Sequence, residues 1–522
     1  MRKITLTTER LGGFFLQLAL VFGAWFRIST PLDAGFPIND GGLFYLMIQA
    51  LRDNLYRLPE HIQYNGLNIP FAYPPFAFYV AGVLTDIFHT SIIKIMLYLP
   101  GIVLIFTIPA VYYLANLILK SEFQAGLASL IYSVIPGSMT WLIMGGGVTR
   151  SFGQLFLLMA SINIYLLYTK GRPKDIIYSI LFSALVCITH PEAALHTVAI
   201  AFLFWLFYGM NKKGLVESLV VAAGTLIMTS PWWVVMLQRF GTSPFIAASQ
   251  TGSNNLAFLV VPFTSFSGEY FLPIIAVFAI VGIVERIARQ EYMLIAFYFV
   301  PFFIEPRNGA NVITIPIALL AAVGLSEVIL PSLAKIESAV RKIEFSQPIQ
   351  SRTEKLFLSF SGVCLLLGML FSGFKFATER VSPEVMSAFE WIRTNTSQDG
   401  RFLILTGEDH AFRDYVNEWF PALTNRLSIT TVQGKEWLEP GLFEKEMANN
   451  RSIQKCAINS NILPCVEAVT TKLDLDYGYV IIITNPSDVN PARNSVIIAK
   501  HSYKVMLSSN EVVVLEKLLD DE

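Results

Sequence analysis

Eleven apolar runs limit what this chain can fold into more than any other feature. They lie at about residues 11–29, 94–118, 123–143, 150–168, 175–190, 192–208, 214–237, 271–285, 291–305, 311–331 and 355–373. Each is long enough, or nearly so, to cross a hydrocarbon core that takes roughly 20 helical residues. Lipid offers no hydrogen bonds to an open backbone, so such runs are expected as helices. A charged fraction of 15% and a mean hydropathy of +0.53 agree, because soluble domains carry about 25% charged residues. The sequence therefore predicts a polytopic α-helical membrane protein with about eleven transmembrane helices. Its net charge of -1 lacks the basic excess of a nucleic-acid-binding chain. Arg2, Lys3 and Arg10 precede the first run and no small-residue cleavage site follows, so that helix is expected to be retained.

Pro75 to Phe88 is apolar but short and opens with Pro74-Pro75, which predicts a helix lying in the interface or re-entering the membrane. Cytoplasmic loops collect Lys and Arg. With that stretch not counted as a span and the N-terminus cytoplasmic, KGRPK (170–174), NKKG (211–214), ERIAR (285–289) and the basic 332–354 loop all fall inside. The opposite face then receives the first outer loop (30–93) with Asp40 and YPP (73–75). It also receives GGGVTR (145–150), THPE (189–192), the 238–270 loop, EPRN (305–308) and everything from 374 onward. A multi-pass cell-membrane protein with an extracytoplasmic C-terminal domain is the expectation.

That divides the chain into a transmembrane catalytic domain (1–373) and a soluble α/β domain (374–522). In the latter, Ser382-Pro383 reads as an N-cap followed by Pro at the first helical position. RFLILT (401–406), YVIIIT (479–484), SVIIAK (495–500), YKVMLS (503–508) and EVVVLE (511–516) read as strands. Cys456 and Cys465 would share an oxidising compartment, where either a disulfide or two buried thiols is consistent with the spacing.

The polar clusters carry the chemistry. Asp40 precedes Gly41, Gly42 and an amphipathic stretch whose Leu43, Phe44, Met47, Ile48, Leu51 and Leu55 share one helical face, expected on the membrane surface. Asp40 reads either as the N-cap of that helix or as an active-site carboxylate. Tyr73 is expected to face the same cavity. Thr189 and Glu192 have capping-box spacing, while His190, ionisable at a membrane boundary, is suited to binding a hydroxyl or phosphate. Arg150 and Arg307 offer planar forks for phosphate oxygens, and Arg307 can instead pair with Glu305. GGG lacks the GK[ST] of a nucleotide loop.

In this arrangement the chain resembles the GT-C class of integral-membrane glycosyltransferases, in particular the protein O-mannosyltransferase (glycosyltransferase family 39-like) and aminoarabinose-transferase-like families. The shared pattern is one span, an early acidic residue (Asp40) in a long outer loop, an amphipathic helix, a Y/H-P-P motif (Tyr73, Pro74, Pro75), many spans and an outer soluble domain. The resemblance implies transfer of a sugar from a polyprenyl-phosphate carrier to a lipid, glycan or protein acceptor. Asp40 is implied as catalytic base or metal ligand. Tyr73, Arg150, His190, Glu192, Glu305 and Arg307 would line the substrate site. Gly41 stands where a second acidic residue often follows, which weakens a divalent-metal role, and no other cofactor is indicated. EWFPALTNR (418–426) and QGKEW (433–437) lack the Trp-Trp-Asp core of oligosaccharyltransferase acceptor motifs. Two other classes compete: a transporter or flippase of lipid-linked sugars, and a membrane-anchored cell-envelope assembly protein. A transporter would be expected to show repeated halves and a midplane charge, whereas here the ionisable residues gather at one face.

Overall fold

The computed structural model describes residues 8–251, 266–269, 272–345, 348–459, 461–484 and 502–518. Each of the eleven apolar runs is met by a helix. Among the described residues seven helices are long and apolar enough to cross a membrane, including Glu9–Ala34, Ile92–Leu119 and Gly147–Lys170. Four runs give shorter helices, Glu122–Val134, Pro173–Cys187, Ile274–Ala288 and Met293–Ile304, of 12 to 15 residues. At about 1.5 Å per residue these reach only some 18–23 Å.

Local chemistry sets the breaks. Gly171, at φ 60°, ends Gly147–Lys170, and Pro173 opens the next helix. Ser351 and Glu354 form a capping box before the helix Arg352–Ala377, which runs past the expected boundary at 373. Buried Arg27 donates to the carbonyls of Gly23 and Ser133 (both 3.2 Å) and to Ser138 Oγ (3.0 Å). Its cation thus sits at the C-terminal end of Glu122–Val134, where exposed carbonyls favour positive charge.

The segment between the first two long helices holds three small elements. One is the helix Gly42–Asp53. The second is a hairpin of β1 (His61–Tyr64) and β2 (Leu67–Pro70), turned by Asn65 and Gly66 at φ 52° and 71°. The third is the helix Phe76–Ile87. The apolar face of Gly42–Asp53 does not lie on lipid as expected. Leu43, Met47, Ile48 and Leu51 are buried in one cluster with Phe78, Phe389, Trp419 and Phe420, because the C-terminal residues cover that face. Leu55 lies beyond the helix and is exposed.

Among the described residues, the C-terminal part of the chain forms a five-stranded sheet in the order β4-β3-β5-β7-β6. These strands are β3 Arg401–Leu405, β4 Leu427–Ser428, β5 Tyr479–Ile483, β6 Tyr503–Ser508 and β7 Val512–Lys517. β3 runs parallel to β4 and β5, and β7 is antiparallel to β5 and β6. Four of the five expected strands are present, and 495–500 lies outside the described residues. Ser382 caps Pro383–Asn395 as expected, and Cys456 and Cys465 are disulfide-bonded.

Candidate active site

Asp40 does not cap its own helix. The N-cap of Gly42–Asp53 is Gly41, at φ 129°, which has no side chain to cap the helix. The Asp40 carboxylate instead reaches the start of a different helix, Gly147–Lys170. Its Oδ1 accepts from the Gly146 N–H at 2.8 Å and from Arg150 Nη1 at 3.4 Å, and its Oδ2 pairs with Arg150 Nη2. A carboxylate is favoured there by the unpaired N–H groups and the positive end of the helix. The pair is partly enclosed, with side-chain exposures of 11% for Arg150 and 15% for Asp40. Arg150 also donates to the Trp141 carbonyl at 3.2 Å and lies 4.0 Å over the Trp141 ring, which holds its fork in plane.

The loop carrying Asp40 is clamped on two sides. From the membrane helices, Gly145 N–H donates to Ile38 O at 2.8 Å. From the C-terminal residues, Trp419 Nε1 donates to Asn39 O at 2.9 Å. There too, Gly41 N–H donates to Glu418 Oε1 at 2.8 Å. Tyr64 of the hairpin donates to Glu418 O at 2.7 Å, joining a third element. Glu418 is buried, and this burial, reinforced by the charge of Asp40, pushes its carboxyl up to about 8.

Tyr73 is brought to this site. Its hydroxyl lies 3.2 Å from Thr149 Oγ1, beside Arg150, and its ring packs on Phe44, Phe78 and Trp437. A second group lies along the helix Pro191–Phe204 as two separate pairs, His190 with Glu192 and His196 with Glu305. The capping box expected of Thr189 and Glu192 is replaced. His190 is the N-cap of Pro191–Phe204, its Nδ1 accepting from Ala193 N–H at 3.2 Å, while the Thr189 hydroxyl donates back to Leu185 O at 2.5 Å. His190 Nε2 stands 3.9 Å from Glu192, and His196 Nε2 stands 3.8 Å from Glu305. His196 is fully buried, and neither ring nitrogen has a hydrogen-bond partner among the described residues. The helix Gly147–Lys170 connects the two groups, since Gly153, one turn from Arg150, packs against His190. Arg307 stands in the helix Pro306–Val312, and its side chain lies outside the described residues.

Sequence reasoning missed Trp141, His196, Glu418 and Trp419. Glu418 stands in EWF (418–420), and nothing local to that stretch marks its burial. A divalent metal at Asp40 does not fit this donor set. A guanidinium already bridges both carboxylate oxygens, and among the described residues no three His, Cys, Asp or Glu side chains converge.

No family model matches the sequence, and no curated protein matches it. The fold does match solved structures. The Archaeoglobus fulgidus oligosaccharyltransferase aligns with a TM-score of 0.52 at 12% identity, over 90% of this chain and 69% of that one. ArnT from Cupriavidus metallidurans bound to undecaprenyl phosphate aligns at 0.50 and 14%, over 97% and 98%. The mycobacterial arabinofuranosyltransferase AftD aligns at 0.52 and 13%, over 99% of this chain and 40% of AftD. All three are GT-C glycosyltransferases, and this multi-pass membrane chain has their fold.

Proposed function

We propose that the protein is a glycosyltransferase that moves a sugar from a polyprenyl-phosphate carrier to an acceptor hydroxyl on the outer face of the membrane. The observation that carries this reading is the enclosed Asp40–Arg150 pair at the start of Gly147–Lys170, within a fold shared with such enzymes. In the step proposed, the acceptor oxygen attacks the anomeric carbon and its proton passes to the Asp40 carboxylate. The bond from that carbon to the phosphate oxygen breaks, and polyprenyl phosphate leaves with the electron pair. A single displacement inverts the sugar carbon.

Hydrogen-bond arithmetic supports both roles. A carboxylate has about four acceptor sites, and three donors point at Asp40, so one site is left for an acceptor hydroxyl. A guanidinium has five N–H groups. Two go to Asp40 and one to Trp141, which leaves the Nε edge without a protein acceptor among the described residues. That edge suits the leaving phosphate, whose growing charge it would stabilise. His190, Glu192 and Glu305 are read as the distal wall of the substrate site, joined by His196, and Arg307 is read as a further phosphate ligand. The ArnT structure holds undecaprenyl phosphate, which supports a lipid-phosphate donor.

Asp40→Asn tests the reading. Asn is nearly isosteric and can keep the Gly146 bond through its carbonyl, but it cannot accept a proton at neutral pH. Purified Asp40→Asn is expected to bind a polyprenyl-phosphate sugar and to transfer it about 100-fold more slowly or worse. Parent-like transfer would remove Asp40 from the chemistry.

A further inference from the structure

A cavity of about 480 Å³, wide open to solvent, lies between the hairpin, the turn after the helix Lys212–Phe240, and the segment 437–442. It is within the ~300–1,000 Å³ of small-ligand sites. Its walls include His61, Asn68, Phe240, Ser243, Trp437 and Glu439. The rings of His61 and Phe240 meet edge to face at 5.3 Å, and Trp437 packs on Tyr73 at 5.8 Å. Tyr73 in turn reaches Thr149, the neighbour of Arg150. The cavity is thus linked through two aromatic side chains to the helix start that holds Asp40.

We propose that this cavity is a binding subsite for a neutral saccharide, a unit of the acceptor remote from the hydroxyl that reacts at Asp40, and in that role it rests on the reading above. The wall chemistry selects the class. Aromatic faces pack on the C–H faces of a sugar ring, while an amide, a hydroxyl and a carboxylate can bond its hydroxyls. No Lys or Arg is among the lining residues, so a phosphate or carboxylate ligand would find no full counter-charge. A polyprenyl chain would cover Asn68, Ser243 and Glu439 without offering them a hydrogen bond, which costs free energy. A saccharide satisfies both kinds of wall.

The test uses the purified full chain in detergent and a panel of methyl hexosides and methyl pentosides, with binding followed by saturation-transfer NMR. Ser243 and Glu439 are exposed, so Ser243→Trp, which fills the cavity, and Glu439→Ala should both fold. At least one glycoside should bind the parent saturably. Each variant should weaken it roughly tenfold or more, as expected for steric loss or one lost charge-assisted hydrogen bond. Loss of affinity in either variant supports the subsite. No saturable signal from any glycoside, or undiminished affinity in both variants, overturns it. An oligosaccharide long enough to reach Asp40 that binds here but never receives sugar leaves the subsite standing and counts against the transfer reading.

Discussion

Glu418 gives the Asp40 loop a pH-dependent clamp whose size follows from the structure. The carboxyl is 6% exposed and accepts the Gly41 N–H. The charged groups that bear on it are Asp40, Glu436 and Arg150. In the folded protein it keeps its proton to about pH 8, whereas an unfolded Glu releases it near 4.3. Between those values the native state binds more protons than the unfolded one, so stability falls as pH rises, by at most about 1.4 kcal/mol per pH unit. Asp414 is also raised by burial, to about 6, and the histidines of the unfolded chain titrate near 6.5, so in the window from about pH 6.5 to 8 it is the difference in slope between parent and Glu418→Gln that reports Glu418. Across that window Glu418 should contribute a loss of up to about 2 kcal/mol, or roughly 2 °C in apparent Tm for a chain of 522 residues. Glu418→Gln keeps an acceptor for Gly41 and cannot ionise, so its Tm should be flatter there. Glu418→Ala leaves a buried N–H unpaired and should cost about 1–3 kcal/mol at every pH in that window. Thermal unfolding in detergent at a fixed scan rate, parent beside both variants, makes the measurement. Parallel pH slopes for the parent and the Gln variant would refute the assignment.

Arg150→Lys should weaken donor binding about tenfold with little loss of expression, because one ammonium cannot span both Asp40 oxygens, reach the Trp141 carbonyl and stack on its ring. Titration with a polyprenyl-phosphate sugar reads this out, and parent-like affinity would assign the pair a purely structural role. Gly145→Ala should cost about 1–3 kcal/mol and abolish most transfer, since its Cβ would lie 1.8 Å from Asp40 O. Gly362→Ala, with nothing within 4 Å, is the control, and equal effects of the two on stability and transfer would defeat the argument. The 332–354 loop should be protected from an impermeant thiol reagent in intact cells when single cysteines are placed there, and the tail should be labelled. The reverse pattern would overturn the topology and the face on which the site is placed.

The helical runs were legible because lipid permits few backbone solutions, and every run from 11–29 to 355–373 became a helix. Lengths were less so. Glu122–Val134 ends well short of 143, at Ile135, where the backbone turns extended, and Met293–Ile304 starts two residues into its run. The strands RFLIL and YVIII were readable as continuous apolar runs bounded by polar residues. β4 has only two residues, too few for any periodicity, and the Asn65-Gly66 hairpin signal was passed over. The surface placement of Gly42–Asp53 failed for a general reason. An amphipathic face reports that it must be covered, and lipid and protein leave the same pattern. Here the cover is Trp419 and Phe420, almost four hundred residues away in sequence, which no local reading reaches.

The site itself was half visible for the same reason. Asp40 and Arg150 stood out as charges in apolar surroundings, but their pairing depends on the glycines around them. A Cβ at Gly145 would strike the Asp40 backbone, one at Gly41 would meet Gly145, and one at Gly42 would meet Glu418 O at 2.6 Å. Gly41 also holds a positive φ that L side chains rarely adopt. These glycines let three backbones touch: the first loop, the start of Gly147–Lys170 and the helix Tyr415–Thr424. Contact at that distance puts the carboxylate on the Gly146 N–H instead of on its own helix. The glycine pairs that looked like flexible punctuation beside Asp40 and before Arg150 are two sides of one close-packed joint, and the joint aims the carboxylate.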